Sequence, residues 1–291
     1  MIDLVHYYAF ILDALARYPG SRVRLAPYRW TPWRSGRKPV MPVLTAAVRA
    51  LPPAAAPDGI LEFGVWKGST IRHLAALLPG RQIHGFDSFE GFPKDGRPDW
   101  RLDFALDSLP RVPANVELVT GFFEDSLPAF LASRRSGFRI DLLHVDCDIY
   151  SSTSTIFRCL QPHLGAGAVI VFDELLNYHR FPENELLAFY EFLMETGLDF
   201  DWLATVGPAY PFAQFCDEHV RKVDMQWYRD AGYYQNSAVR LTRAVDRPAR
   251  IDRYRTEAER LLAVRPLKQP LAAPAAGRIR QPGPTSRHSC G

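Results

Sequence analysis

The sequence predicts an α/β protein built on a Rossmann-like, mostly parallel sheet of seven strands. From residue 59 onward, short apolar runs alternate with segments of helical periodicity, a pattern typical of consecutive β–α–β units. The strand runs are almost continuously apolar, which indicates a sheet covered by helices on both faces. Two further apolar runs follow the last helix with no regular crossover helix between them, so we expect an antiparallel closing strand.

Each element is placed by its local pattern. Strands are short apolar runs that end at glycine, acidic or turn residues, whereas helices repeat apolar residues three and four positions apart. The predicted strands cover residues 60–65, 82–86, 116–119, 140–145, 168–172, 200–205 and 238–241. The predicted helices cover residues 70–78, 124–133, 153–160 and 184–196.

Four regions of the chain differ in composition. Residues 1–57 are predicted to form a helical extension with a Pro- and Arg-rich linker, and residues 58–245 the α/β domain. Residues 246–264 are predicted as a C-terminal helical segment and residues 265–291 as a disordered basic tail. The apolar run near the N-terminus contains His6 and Asp13, so it is too short and too polar to span a bilayer, and no membrane association is expected.

The composition favours a cytoplasmic protein with a substantial core. Hydrophobic residues make up 47% and charged residues 23%. The four cysteines contain no CxxC pair, which indicates reduced thiols and no zinc site. The net charge of +3 is uneven, because the tail is basic. Such a tail can bind nucleic acid, but this one is rich in Pro, Ala and Gly and lacks aromatic residues, so we expect a solvated tail and no nucleic-acid partner.

The loop after the first predicted strand has the residues of a ligand-binding turn. Gly64 and Gly68 let the backbone turn tightly and approach a ligand, and Ser69 lies where the next helix begins. The GxGxxG pattern of dinucleotide-binding proteins is absent, and Glu62 would repel a diphosphate. A carboxylate suits the ammonium and sulfonium charges of S-adenosylmethionine, which we expect as the cofactor in preference to NAD.

The second and third strands lead into further candidate cofactor residues. Asp87 ends the second strand, where an acid can bind both ribose hydroxyls, and Ser88 follows it directly. In the alternative interpretation Asp87 only stabilises a turn. The third strand leads into Gly121, Phe122 and Phe123, of which either aromatic ring is a candidate to stack on adenine or to join the core.

Four carboxylates follow the fourth and fifth strands. Asp146 and Asp148 end one of these apolar runs, and Asp173 and Glu174 end the other. Because neighbouring parallel strands end at the same edge, about 5 Å apart, we expect these acids to meet there. Such a concentration of negative charge favours a bound cation, and oxygen ligands favour Mg²⁺, Mn²⁺ or Ca²⁺. The alternative is that Asp148 caps the following helix and the others hold loops.

Two histidines lie near these acids in the sequence. His144 falls in the apolar part of its strand, which is more typical of a buried core histidine than of a ligand. His179 lies in the loop after Asp173 and Glu174 and is the candidate for proton transfer, with a solvated loop histidine as the alternative.

Aromatic residues are concentrated in two connecting stretches, residues 88–104 and 207–236. Either stretch is expected to line a substrate pocket or to cover the core. The second is also a candidate lid or oligomer contact, so a homo-oligomer is one expected assembly. The first stretch contains Phe89, Phe92, Trp100 and Phe104.

Five motifs in order resemble the macrocin O-methyltransferase family and its bacterial relatives. They are LEFGVWKGST, HGFDSFEGFP, GFFEDSLP, LLHVDCDIYSST and VFDELLNY, within residues 60–178, and a looser likeness continues to about residue 242. The resemblance implies a class I methyltransferase fold and a divalent metal, Mg²⁺ or Mn²⁺. It also implies transfer of a methyl group from S-adenosylmethionine to a hydroxyl of a sugar or phenolic natural product.

The resemblance also implies roles for individual residues. Glu62, Gly64, Ser69 and Asp87 would line the cofactor site, and the segment 121–123 would lie near the adenine. The metal ligands would be Asp146, Asp173 and Glu174.

The pattern is also similar to metal-dependent catechol methyltransferases, whose Asp-x-Asp-Lys run supplies a lysine base. Ile149 stands at that lysine position, so the expected catalytic residues are Asp146 and, as an accessory base, His179. A module that binds S-adenosylmethionine without catalysis and an NAD-dependent oxidoreductase are the alternatives.

Overall fold

The computed structural model describes residues 2–19, 41–52, 59–93, 104–217 and 225–267. Its centre is one seven-stranded sheet with strand order β3-β2-β1-β4-β5-β7-β6. The strands are β1 (Ile60–Phe63), β2 (Ile83–Asp87), β3 (Val116–Thr120), β4 (Leu142–Val145), β5 (Val169–Phe172), β6 (Leu198–Thr205) and β7 (Ser237–Arg243).

The sheet confirms the predicted fold class. β1 pairs in parallel with both β2 and β4, and the parallel pairing continues to β3 on one side and β5 on the other. β7 runs antiparallel to β5 and to β6, which places it between these two strands. The two apolar runs predicted after the last helix are therefore the antiparallel pair, and β6 forms the edge.

Ten α-helices lie among the described residues. Helix α5 begins three residues earlier than predicted, directly after Ile149, whose extended backbone ends the turn that follows β4. The helices are α1 (Leu4–Ala16), α2 (Pro42–Arg49), α3 (Ser69–Leu77), α4 (Phe123–Ala132), α5 (Tyr150–Leu160), α6 (Glu185–Thr196), α7 (Phe212–Asp217), α8 (Met225–Asp230), α9 (Arg247–Asp252) and α10 (Arg255–Val264).

The N-terminal helix α1 packs into the main hydrophobic core instead of standing apart from the sheet. Tyr7, Phe10 and Ile11 are buried in the same cluster as residues of β1, β4 and β5. The Phe10 ring lies 5.1 Å from that of Tyr190 on α6 and 6.3 Å from that of Phe200 on β6. Burial of such side chains contributes about 1.5–3 kcal/mol each, so α1 belongs to the stable body of the fold.

The C-terminal side of the described chain is also anchored. Arg265, the first residue of the predicted tail, lies over the Phe215 ring at 4.0 Å and donates to the Phe215 carbonyl oxygen at 2.8 Å. Residues 268–291 of that tail lie outside the described residues. Within the part of the chain that the structure describes, no helix is both long and apolar enough to cross a membrane.

Candidate active site

A cavity of about 320 Å³ opens at the carboxyl ends of β1, β2, β4 and β5. This is the edge at which open α/β sheets bind ligands, and the volume is within the range of small-molecule sites. Its lining is polar at the strand ends and aromatic at the mouth. The lining residues include Gly64, Val65, Trp66, Lys67, Ser69, Thr70, Asp87, Ser88, Phe92, Phe104, Phe122, Phe123, Asp146, Asp148, Asp173, Glu174 and Arg229.

Most of the site residues proposed from the sequence line this one cavity. Those that do are Gly64, Ser69, Asp87, Ser88, Phe122, Phe123, Asp146, Asp173 and Glu174. Those that do not are Glu62, Gly68, Gly121 and His179. The cavity therefore combines the glycine turn, the second-strand acid and the acidic cluster, which are far apart in the sequence.

Gly64 is required where the end of β1 meets the end of β4. Its φ of +90° belongs to the region that favours glycine, and a β-carbon there would lie 1.7 Å from the carbonyl oxygen of Asp146. No side chain fits at this distance. The glycine turn is therefore a requirement of strand packing as well as a candidate ligand contact.

Asp87 holds the turn after β1 through backbone hydrogen bonds. Its Oδ2 accepts from the amides of Val65 at 2.9 Å and Trp66 at 2.7 Å, and its Oδ1 accepts from Phe89 at 2.7 Å. A carboxylate offers about four acceptor positions, so one remains, on Oδ1. Asp87 thus stabilises the turn and keeps room for a single further donor, where the sequence suggested two ribose hydroxyls.

Glu62 lies behind the cavity wall and is fully buried. Its Oε1 accepts a hydrogen bond from the Thr70 hydroxyl at 2.8 Å, and its Oε2 lies 3.1 Å from Nδ1 of His144. The structure therefore does not bring Glu62 to the surface that a cofactor would touch. Thr70, which does line the cavity, lies between Glu62 and the cavity.

The aromatic residues divide between the cavity and the core. Phe123 packs edge-on against Phe63 with ring centroids 5.1 Å apart, whereas Phe122 is only partly buried. Phe122 is therefore the more accessible candidate for stacking on a flat ring. Of the aromatic residues noted in 88–104, Phe92 and Phe104 line the cavity and Phe89 is buried; Trp100 lies outside the described residues.

The carboxylates at the ends of β4 and β5 lie in an electrostatically unfavourable setting. Burial raises the pKa of Asp146 well above its ordinary value, and the charges of Asp173 and Asp148 raise it further. Burial also raises the pKa of Asp173, against the opposing charges of His144 and Arg229 and a hydrogen bond from Asn236. The site therefore favours a bound cation or a shared proton.

His144 joins the acidic cluster, although its position in the strand suggested a core residue. It is buried, and its ring and the carboxylates of Asp146 and Asp173 offer ligand atoms that lie within 4.8 Å of one another. Burial lowers its pKa, but the hydrogen bond and charge of Glu62 outweigh this effect and raise it. Glu174 is not part of this set of close ligand atoms among the described residues.

His179 lies away from the cavity. Its ring centroid is 6.4 Å from that of Phe215, and its carbonyl oxygen accepts from Arg265. The loop after β5 turns back towards the helical layer at this point, so proximity in sequence to Asp173 does not bring the ring to the same site. The structure gives no support to its role as a base.

Three residues near the cavity were not recognised in the sequence. Asn236 donates a hydrogen bond to Asp173, and Arg229 lines the cavity; both come from the stretch 207–236. Glu185, the first residue of α6, is fully buried behind the acids, where burial and the charges of Asp148 and Asp173 raise its pKa well above its ordinary value. No local motif marks these residues, because their proximity arises from the fold.

Residues 61–175 match the family model described as a methyltransferase domain. This segment begins in β1 and ends just after Glu174, so it contains the glycine turn and both acidic strand ends. The match confirms the prediction of a methyltransferase domain over this segment.

The chain is similar to several methyltransferases of natural-product pathways. It is 27% identical over 143 residues to an 8-demethyl-8-(2,3-dimethoxy-α-L-rhamnosyl)-tetracenomycin-C 4′-O-methyltransferase of Streptomyces olivaceus, which covers 40% of this chain and 53% of the relative. The match thus spans about half the relative's length.

Two solved structures are also similar to the chain. The calicheamicin methyltransferase CalS11 is 23% identical, with 68% of this chain and 76% of that chain covered and a TM-score of 0.45. The O-methyltransferase NovP is 18% identical, with 82% and 97% covered and a TM-score of 0.42. The narrower macrocin family is not confirmed by these similarities.

Proposed function

We propose that this protein is an S-adenosylmethionine-dependent O-methyltransferase whose acceptor is a hydroxyl of a sugar or phenolic natural product. The observation that carries the proposal is the cavity itself: one crevice is lined by the glycine turn at Gly64, the second-strand acid Asp87 and the acidic pair Asp146 and Asp173. The methyltransferase-domain match over the same strands supports it.

The cofactor half of the cavity is proposed to lie between β1, β2 and α4. Asp87 has one acceptor position left for a ribose hydroxyl, and Phe122 offers a partly exposed ring for the adenine. Ser69, Ser88 and the backbone at Gly64 line the space between them. When bound, the cofactor supplies an electrophilic methyl group on a sulfonium.

A divalent cation is proposed to be held at the acidic end. Asp146 and Asp173 would contribute oxygens, with Glu174 or His144 as the third ligand; Glu174 favours Mg²⁺, and His144 is better suited to Mn²⁺. The contact of His144 with Glu62 at 3.1 Å is the kind of second hydrogen bond that orients a ligating histidine. Such an ion lowers the pKa of a bound hydroxyl.

The chain's own residues then have to orient the acceptor and accept its proton. Methyl transfer is an in-line displacement, so the acceptor oxygen must lie opposite the departing sulfur, with a new C–O bond replacing the C–S bond. The hydroxyl proton needs a base. We assign it to Asp146, whose second carboxylate oxygen is available to accept the proton when the first holds a cation.

The test combines binding and turnover in the full chain. Calorimetry measures S-adenosylmethionine, S-adenosylhomocysteine and NAD binding, and mass spectrometry detects a one-methyl mass gain on a panel of sugars and phenols with Mg²⁺, Mn²⁺ or chelator. We expect tight binding of the first two ligands and a metal-stimulated product that Asp173→Asn abolishes, while the exposed-residue control Asp201→Asn retains activity.

The other outcomes separate the rival functions. Binding of S-adenosylmethionine with no product from any acceptor indicates a non-catalytic module. Binding of NAD alone indicates an oxidoreductase. Full activity of Asp173→Asn in chelator contradicts the metal proposal, and comparison of Glu174→Gln with His144→Gln identifies the third ligand.

A further inference from the structure

The stretch between β6 and β7 brings a positive charge to the acidic end of the cavity. Arg229 on α8 lines the same wall as Asp173 and Glu174. Among the described residues that line the cavity, Arg229 and Lys67 are the two cationic side chains, and Lys67 lies on the turn after β1 with its Nζ 4.3 Å from the ring centroid of Trp66. Arg229 is therefore the cationic side chain at the acidic end of the cavity, where the acceptor is proposed to bind.

A neutral buried amide holds Arg229. Its Nη2 donates to Oε1 of Gln235 at 3.0 Å, and Gln235 is 2% exposed. No acid among the described residues lies within ion-pair distance of Arg229, although carboxylates line the cavity beside it. The Nε2 of Gln235 is buried without a hydrogen-bond partner in the described chain, an arrangement that costs stability. Gln235 thus positions a guanidinium without neutralising it.

The platform beneath Arg229 is well packed. Its neighbour Tyr228 is 2% exposed and packs edge-on against Tyr210, with ring centroids 5.3 Å apart. The Tyr210 backbone amide donates to Oδ1 of buried Asn177 at 2.8 Å, and Nδ2 of Asn177 donates to the Tyr234 carbonyl oxygen at 2.7 Å. These contacts tie the stretch to the loop after β5, so they hold the backbone next to Arg229 against the core, while the Arg229 side chain is exposed.

Arg229 is attracted by the charge of Asp173. A bound divalent cation would neutralise that charge, and the guanidinium would then lack a negative partner unless the acceptor is anionic. The two ligands proposed for this end of the cavity, a sulfonium methyl group and a divalent cation, are both positive and would be repelled by a nearby guanidinium. A neutral acceptor would leave that repulsion uncompensated. An acceptor with its own negative charge would instead receive a charge-assisted, two-pronged hydrogen bond.

We propose that Arg229, positioned by Gln235, binds an anionic group of the acceptor, a carboxylate or a phosphate, next to the hydroxyl that receives the methyl group. The inference rests on the proposed methyltransferase function and narrows its substrate class. The described residues 225–236 are then part of the acceptor-side wall of the site as well as a cover for the core. Arg229 is a specificity-determining residue and takes no part in the bonds that change.

The experiment uses matched acceptor pairs whose members differ in one anionic group. The carboxylate pair is 3,4-dihydroxybenzoate with 3,4-dihydroxybenzyl alcohol, and the phosphate pair is rhamnose 1-phosphate with methyl rhamnoside. Binding of each probe is measured by calorimetry on the full chain saturated with S-adenosylhomocysteine and Mg²⁺. Methyl transfer to each probe is measured in separate reactions with S-adenosylmethionine and Mg²⁺. The variants are Arg229→Gln and Arg229→Lys, with Arg243→Gln as a control at the opposite end of β7.

The wild-type protein is expected to bind the anionic member of at least one pair on the order of tenfold more tightly than the neutral member. Arg229→Gln removes that preference, Arg229→Lys keeps part of it, and Arg243→Gln leaves it unchanged. Whether the carboxylate or the phosphate pair shows the effect identifies the group.

Equal binding of both members of both pairs, or a preference that survives in Arg229→Gln, overturns the proposal. The proposal is also overturned if Arg229→Gln changes only the affinity for Mg²⁺, since Arg229 would then only balance the charge of the acidic cluster. The affinity for S-adenosylhomocysteine, measured in a separate titration of the ligand-free chain, reports on the methyltransferase assignment.

Discussion

Gly64 and Asp146 meet where β1 and β4 end side by side, and the gap between them admits no side chain. A β-carbon on Gly64 would lie 1.7 Å from the Asp146 carbonyl oxygen. The turn proposed to carry the cofactor and the strand end proposed to carry the metal are thus in direct contact. A change on one side is expected to affect the other.

Gly64→Ala is expected to lower the free energy of unfolding by at least about 3 kcal/mol, because the new methyl group displaces the backbone of Asp146 and φ is unfavourable. Urea unfolding measures this. Gly137→Ala is the matched control: its φ of +78° is equally unfavourable, but nothing lies within 4 Å, so a loss of about 1 kcal/mol is expected. Equal losses in the two variants contradict the close approach.

Asp87→Asn is expected to weaken S-adenosylhomocysteine binding about tenfold. The side-chain NH₂ group of asparagine is a donor, so one of the backbone N–H groups that now donates to Asp87 would lose its acceptor. Calorimetry measures the affinity. The global stability should fall far less than in Gly64→Ala, because the turn after β1 loosens while the sheet stays intact. Asp107→Asn, at an exposed position, is the control. An unchanged affinity in Asp87→Asn is evidence against a cofactor site at this turn.

The pH dependence of stability is expected to report the acids at the ends of β4 and β5. Burial raises the pKa of Asp146 and Asp173 in the folded chain above the ordinary value of 3.8. At pH values between the unfolded and the folded pKa, the folded state therefore binds more protons than the unfolded state. Their contribution to stability is complete below the unfolded pKa and is lost as the pH rises through the folded pKa.

In chelator, Asp146→Asn is therefore expected to be more stable than wild type by about 1–3 kcal/mol near pH 8, with the difference shrinking towards pH 4. Urea unfolding at both pH values measures the change, and adding Mg²⁺ should reverse the ranking. Asp201→Asn, exposed on β6, should show no such trend. A constant difference across the pH range contradicts the raised pKa of Asp146.

An ion-pair network joins α1, β6 and α9. Arg250 contacts Asp13 at 3.0 Å and Asp199 at 2.8 Å, and both acids are buried. Arg250→Met is expected to cost about 3 kcal/mol of unfolding free energy, because the two buried carboxylates then keep, among the described residues, only Arg17 as an ion-pair partner. Exposed Arg243→Met should change it by less than about 0.5 kcal/mol. If the two variants lose the same stability, the network does not anchor α1.

Much of the fold was predictable because its signals are local. Apolar runs of strand length that end in acids or glycine mark β1, β4 and β5, and their alternation with helices implies a parallel sheet. The same local rule indicated the ligand edge, since parallel strands end together. Asp146 and Asp173 were recognised in this way, by position at strand ends and without knowledge of any contact.

The sequence by itself determined the order of the elements, the antiparallel pair and the edge at which the acids gather. Only the tertiary structure decided which side chains face the cavity. Glu62 lies behind the wall, His179 lies away from it, Arg229 lines it, and Asn236 donates a hydrogen bond to Asp173. The physical reason is the separation along the chain over which each effect acts. Periodicity and turn chemistry act over a few residues, whereas the orientation of a loop is set by packing between segments distant in the chain, and no local pattern records it.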